Sequence, residues 1–226
     1  MKSMDKRMLW LRWVAANALG EMFGLGLTLA IGAMVISSLG NQQSVGMVLI
    51  AFLVAVGSGV IEATLVGLLQ WWAMYPWFPM IARRTWWLAT LIGALAAYVL
   101  GYLPSTLMSL GEQASQAQAP VAEPAQWLVL LLAAGLGVVG GAVLSFAQWL
   151  TMRHKISRSS LWIPANMLAW LVGMPLIFWG IDLAQKVHGL LSVVLLMAGI
   201  LFLAGLAVGA IHGAFLVRLA EPEGTA

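Results

Sequence analysis

Apolar residues in this chain fall into six long runs, 8–39, 45–75, 86–110, 127–152, 161–183 and 190–219, and most charged residues lie between the runs or at their ends. Each run reaches the roughly 20 residues that a helix needs to cross the hydrocarbon of a bilayer. Short segments of alternating polarity, the mark of a membrane β-barrel, do not occur. A backbone in lipid must then satisfy its own N–H and C=O groups within helices. The pattern predicts an all-α membrane protein of six transmembrane helices. It leaves one domain over 1–226, with 221–226 as a polar tail and 111–126 as a flexible, proline-bounded connector.

Within the runs, small residues recur every four positions. Gly59, Ala63 and Gly67 form one stripe, Gly137, Gly141 and Ser145 a second, and Gly205, Gly209 and Gly213 a third. Four-residue spacing keeps them on one helix face, where two backbones can approach closely, and in lipid such contacts hold helices together. The first two stripes are followed by Gln70-Trp71 and Gln148-Trp149, and the third by Leu216-Val217. The odd-numbered helices carry a different signature: Trp13, Ala16 and Asn17, then Trp86, Ala89 and Thr90, then Trp162, Ala165 and Asn166. The chain thus reads as three tandem helical hairpins, approximately 1–84, 85–160 and 161–220, which predicts a pseudo-threefold bundle. The signature tryptophans are expected in the interfacial aromatic belt, with Asn17, Thr90 and Asn166 about 6 Å deeper by helical rise. Gln70 and Gln148 come to nearly the same depth from the opposite direction, making a belt of polar side chains. Such a belt serves as interhelical hydrogen bonding or as the lining of a vestibule.

Composition sharpens this picture. With 62% hydrophobic and 8% charged residues, the 226-residue chain lies far outside the soluble range. The net charge of +3 does not indicate nucleic acid, because of where the basic residues fall. Lys2, Lys6, Arg7 and Arg12 precede or open the first run, Arg83 and Arg84 lie between the second and third, Arg153, Lys155 and Arg158 between the fourth and fifth, and Arg218 ends the sixth; only Lys186 falls on the other side. The positive-inside rule then gives a multipass protein of the cell membrane with both termini cytoplasmic. The basic start followed by an apolar run is about twice the length of a secretory signal core and repeats the signature of two later helices, so the first helix is expected to be retained. There is no cysteine, which removes disulfides, thiolate metal sites and iron–sulfur clusters.

Two carboxylates lie inside the membrane runs, where ionisable residues are costly and default to a functional reading. Helical rise puts Glu21 about 13 Å beyond Arg12 and Glu62 about 19 Å before Tyr75, so both come near the midplane. Glu21 shares a helix face with Asn17, and Glu62 flanks the Gly59 stripe on the side that carries Gln70. One reading is a proton or cation relay, or a pair that holds a cation. The other is two neutral carboxylic acids in hydrogen bonds. His212 has no second intramembrane histidine to pair with, since His154 and His188 belong to loops. Bis-histidine haem is disfavoured and a hydrogen bond to a belt amide is expected. Zinc-protease, phosphate-loop and nucleophile-elbow motifs are missing, and no lysine lies within a run to carry a Schiff base. The expectation is therefore no enzyme, no metal and no cofactor.

The succession Gln148-Trp149-Leu150, a short basic segment from Arg153 to Arg158, and Trp162 to Asn166 resembles a pattern in uncharacterised bacterial multipass membrane proteins. The resemblance covers most of the chain and implies a membrane fold; it supplies no activity. Two function classes follow from the residues. One is a small-solute or ion transporter or channel using Glu21, Glu62, Asn17, Gln70, Thr90, Gln148, Asn166 and His212 as its polar core. The other is a non-catalytic accessory or scaffold subunit. The lipid bilayer is the expected partner, with other membrane subunits under the second reading and no nucleic acid. Transport predicts a hydrated cavity joining the carboxyls to one surface, whereas a scaffold predicts a packed centre.

Overall fold

A computed structural model of the chain describes residues 5–39, 44–115 and 124–220. These are helical almost throughout, and six helices among them are long and apolar enough to cross a membrane. The first span is composite: α1 (Lys6–Gly20), a π-helical turn (Glu21–Leu25) and α2 (Gly26–Leu39). The others are α3 (Val45–Met74), α4 (Arg83–Ser115), α5 (Gln126–Met152), α6 (Trp162–Gln185) and α7 (Leu190–Leu219). Caps fix two starts. The Asp5 carboxylate accepts from the Arg7 N–H at 2.8 Å ahead of α1, and the Ser44 hydroxyl accepts from the Met47 N–H at 3.3 Å ahead of α3, each satisfying a donor that the first turn leaves free.

The helix α4 runs on through Gly111 to Ser115, past the expected boundary at 110. A single Gly111 is tolerated within the helix, and Glu112, Gln113 and Ala114 after it are all good formers. The middle of the expected connector, 116–123, and the tail 221–226 lie outside the described residues. Pro104 and Pro175 are both carried inside continuous helices, α4 and α6.

Each span packs against the one before and the one after it, and the first packs against the last: α1 lies against α3 and α7, and the sequence α3, α4, α5, α6, α7 supplies the remaining neighbours. The six spans close into a ring. Large apolar side chains such as Leu53, Ile92, Leu131 and Leu195 point outward and are largely exposed, as suits a surface that faces acyl chains. Close approach is set by the small residues. A methyl built on Gly141 of α5 would come within 2.7 Å of the Asn166 carbonyl oxygen of α6, and one on Gly205 of α7 within 2.6 Å of the Asn17 carbonyl oxygen of α1. Backbone lies against backbone at both places. Gly137 meets α6 and Gly209 meets α1 in the same manner, Gly213 faces the ring of Trp10, and Gly59 and Gly67 face Tyr98 and Thr90 of α4. Ala63 and Ser145, the remaining members of these stripes, are buried, and the Ser145 hydroxyl donates to its own helix at Gly141 O, 2.6 Å.

The signature tryptophans occupy a place the sequence did not suggest. Trp13, Trp86 and Trp162 are fully buried and meet one another inside the ring, with centroid separations of 6.5 Å (Trp13–Trp86), 5.6 Å (Trp13–Trp162) and 6.0 Å (Trp86–Trp162). They form a plug across the bundle at its basic end instead of a lipid-facing belt. Edge-on and tilted indole packing of this kind is favourable beyond the area it buries. The connector after α3 joins the same cluster: Phe78 is 3% exposed and Ile81 fully buried, so both belong to the core.

Candidate functional site

Directly beneath the tryptophan plug lies a connected layer of polar side chains. One turn after each signature tryptophan, Asn17 Nδ2, Thr90 Oγ1 and Asn166 Nδ2 donate back to the carbonyl of Trp13, Trp86 and Trp162 at 2.8, 3.0 and 2.8 Å. The glutamines join the helices together. Gln70 donates to Asn17 Oδ1 at 2.9 Å, while Gln148 donates to Thr90 Oγ1 at 2.9 Å and to Gln70 Oε1 at 3.3 Å and accepts from Trp162 Nε1 at 2.9 Å. All of these side chains are buried. Buried polar groups in a low-dielectric interior rigidify a structure when they are satisfied and weaken it when they are not. Here one network ties α1, α3, α4, α5 and α6 across the axis.

Glu21 and Glu62 sit below this layer. Glu21, 1% exposed, opens the π-helical turn, and π-turns inside α-helices recur at functional sites. A methyl on Gly24, in the same turn, would lie 2.9 Å from the Glu62 Cα, so the two carboxylate-bearing backbones are in contact. Glu62 accepts a hydrogen bond from the Tyr98 hydroxyl of α4. Glu21 Oε2 has no hydrogen-bond partner among the described residues. A void of about 20 Å³ is lined by both carboxylates together with Asn17, Gln70, Thr90 and His212.

His212 is 2% exposed, and neither of its nitrogens has a hydrogen-bond partner among the described residues. It packs on the plug instead, 5.3 Å from the Trp162 ring centroid and 6.4 Å from that of Trp13. The expected bond to a belt amide is not made: the imidazole lies against the indoles, and Gln70 and Gln148 bond within the polar layer. Asn166 also stands apart from the cross-helix network, with Oδ1 unpartnered among the described residues.

On the far side of the carboxylates from the plug, a cavity of about 330 Å³ opens between the helices. Its inner end is formed by Glu62, Ala94, Leu144 and Trp170, all of which also line the small void. It extends to Tyr102, Leu136 and Ile181, about 12–16 Å along the helix axes by rise per residue. Apart from Glu62, Tyr98, Tyr102 and the indole of Trp170, the lining is apolar or glycine. The polar layer and the plug close the inner end, so the cavity leads from the carboxylates away from the basic end of the bundle.

The structure thus brings Glu21, Glu62, Asn17, Gln70, Thr90, Gln148 and His212 to one axial region. Sequence reasoning missed Tyr98, the direct partner of Glu62. The signal was present: Trp86, Thr90, Ala94, Tyr98 and Tyr102 follow at four-residue intervals and share one face of α4, the face that carries plug, polar layer and cavity in turn. Among the described residues there is no group of three or more His, Cys, Asp or Glu placed to hold a metal ion. No family model, curated protein or solved structure matches the chain.

Proposed function

We propose that this chain is a membrane transporter for a small solute or ion, with its binding site at the carboxylate end of the axial cavity. The observation that carries the reading is the placement of two buried carboxylates inside a ring of six helices, Glu62 at the closed end of the cavity and Glu21 behind it in the adjoining small void. Carboxylates are costly at membrane depth and mark substrate or proton pathways there. A site closed on one side by the tryptophans and the polar layer, and continuous with a cavity on the other, has the form of one access state of an alternating carrier. On this reading the basic end lies in the cytoplasm by the positive-inside argument, and the cavity faces the opposite compartment. The three tandem hairpins supply a natural origin for the ring, supported by the meeting of Trp13, Trp86 and Trp162 on one axis.

An accessory or scaffold role has one observation in its favour, the filled centre of the basic half. It gives no reason for a cavity ending on one buried carboxylate with a second behind it. Purified protein reconstituted into vesicles decides between them. A pH gradient should drive or accompany flux through the wild type, and Glu21→Gln and Glu62→Gln should each abolish it while leaving the helical content unchanged. Flux that survives in both variants leaves these residues a structural role.

A further inference from the structure

We infer that the cavity binds a lipophilic organic monocation, such as a substituted ammonium, with its charged head at Glu62 and its apolar body along α5 and α6, and that binding displaces a proton. The inference rests on the transporter reading for its biological use, but the binding site stands on its own geometry. The volume of about 330 Å³ suits a molecule of one ring and several methyl groups. The lining is apolar over most of its extent, which strongly hydrated solutes such as phosphate or a sugar would not enter without losing hydrogen bonds that nothing there replaces. The inner end carries the opposite charge to a cation, and the aromatic faces of Tyr98, Tyr102, Trp170 and Phe178 line the same space, the surroundings that favour ammonium groups. No Lys or Arg lies on this lining, so an anion has no counter-charge.

The exchange follows from Glu62 itself. A carboxylate in these surroundings needs a neutralising partner, and a proton and an organic cation are alternatives at the same oxygens. When the cation R₄N⁺ takes its place against the carboxylic acid, the O–H bond breaks, the carboxylate stays as the counter-ion and one H⁺ leaves to solvent. The ionisable groups facing this point are Glu21 from the first span, Tyr98 and Tyr102 from α4 and His212 from α7; among the described residues α5 and α6 add none to the lining.

The test is titration calorimetry on the full chain in detergent, with benzyltrimethylammonium as probe and neopentylbenzene as its uncharged isostere, repeated in buffers of differing ionisation enthalpy. Saturable binding of the cation is expected, at least tenfold tighter than that of the isostere, with close to one proton released. Glu62→Gln, which keeps the side-chain size, should weaken binding tenfold or more and remove the proton release. Gly140→Leu should weaken it similarly, since a Cβ there finds ordinary contact with Ala97 at 3.7 Å and the rest of the side chain enters the cavity. Equal binding of the isostere, or unchanged cation binding in Glu62→Gln, overturns the inference. The two readings fail separately: Glu62-dependent flux of some other solute in vesicles, without binding of the probe, overturns this inference and leaves transport standing. Glu62-dependent binding, with no Glu62-dependent flux of the probe or of protons in vesicles, sustains the inference and removes the transporter reading.

Discussion

Replacing Gln148 by Leu should loosen the whole basic half of the bundle, because this one side chain serves three helices besides its own. Its carbonyl accepts the Trp162 N–H at 2.9 Å, and its amide reaches Thr90 at 2.9 Å and Gln70 at 3.3 Å. Leucine fills nearly the same space, so the change isolates hydrogen bonding from packing. Trp162 is fully buried, and its orphaned N–H should cost ~1–3 kcal/mol. The bonds to Thr90 and Gln70 contribute less, on the order of 0.6 kcal/mol each in a membrane interior, because the unfolded chain in lipid also finds partners. A destabilisation of about 2–4 kcal/mol is expected in all. The measurement is unfolding in mixed micelles on titration with sodium dodecyl sulfate, followed by circular dichroism, for Gln148→Leu, Trp162→Phe and the double variant. Phenylalanine retains a ring against Trp13 but offers no donor, so the cycle should give a coupling of about 1–2 kcal/mol between the two positions. Additivity within ~0.3 kcal/mol, the behaviour of independent sites, would show that Gln148 does not receive the Trp162 proton and that the polar layer is not a connected unit.

Three further outcomes follow from particular contacts. Gly205→Ala should destabilise by about 1–3 kcal/mol, since the added methyl meets the α1 backbone. Gly199→Ala, with nothing within 4 Å of the new methyl, should be neutral or stabilising by up to ~1 kcal/mol; the same micellar unfolding compares them, and equal effects refute the close approach of α1 and α7. Because the chain has no native cysteine, single cysteines can report access in intact vesicles. Cysteine at Gly101 should react with a membrane-impermeant cationic thiosulfonate applied at the non-basic face, and cysteine at Ala16, behind the plug, should not react from that face; labelling of both removes the closed basic end. Finally, Arg12 donates from Nη2 to the Trp72 carbonyl at 2.8 Å and stacks 4.3 Å from the Trp72 ring centroid. Arg12→Lys keeps the charge but loses the planar stack and should cost about 0.5–1 kcal/mol, read as an earlier unfolding midpoint; an unchanged midpoint refutes the stack.

The limits of sequence reasoning are clearest at the tryptophans. A tryptophan at the basic end of a membrane helix has the same neighbours in sequence whether it faces the headgroups or the bundle axis. The choice depends on rotation of the helix about its own axis. That rotation is set by contacts such as Gly205 against Asn17 and Gly141 against Asn166, which join residues far apart in the chain. His212 shows the same limit in its chemistry. Its level beside the polar groups was legible from helical rise, but whether its ring would turn to an amide or lie against the indoles depended on the packing of other helices. Tyr98 was readable in part: the four-residue ladder from Trp86 announced a shared face, yet only the packing of α3 on α4 made it the partner of Glu62.

Length and apolar periodicity are local properties, paid for by each helix alone in lipid, and they determined the six spans and their ends to within a few residues. Which helix neighbours which, which face each turns inward, and hence where the plug closes and the cavity opens, were decided by the tertiary structure. Those features arise from side chains of several helices meeting on one axis, and no single stretch of sequence contains the interactions that select them.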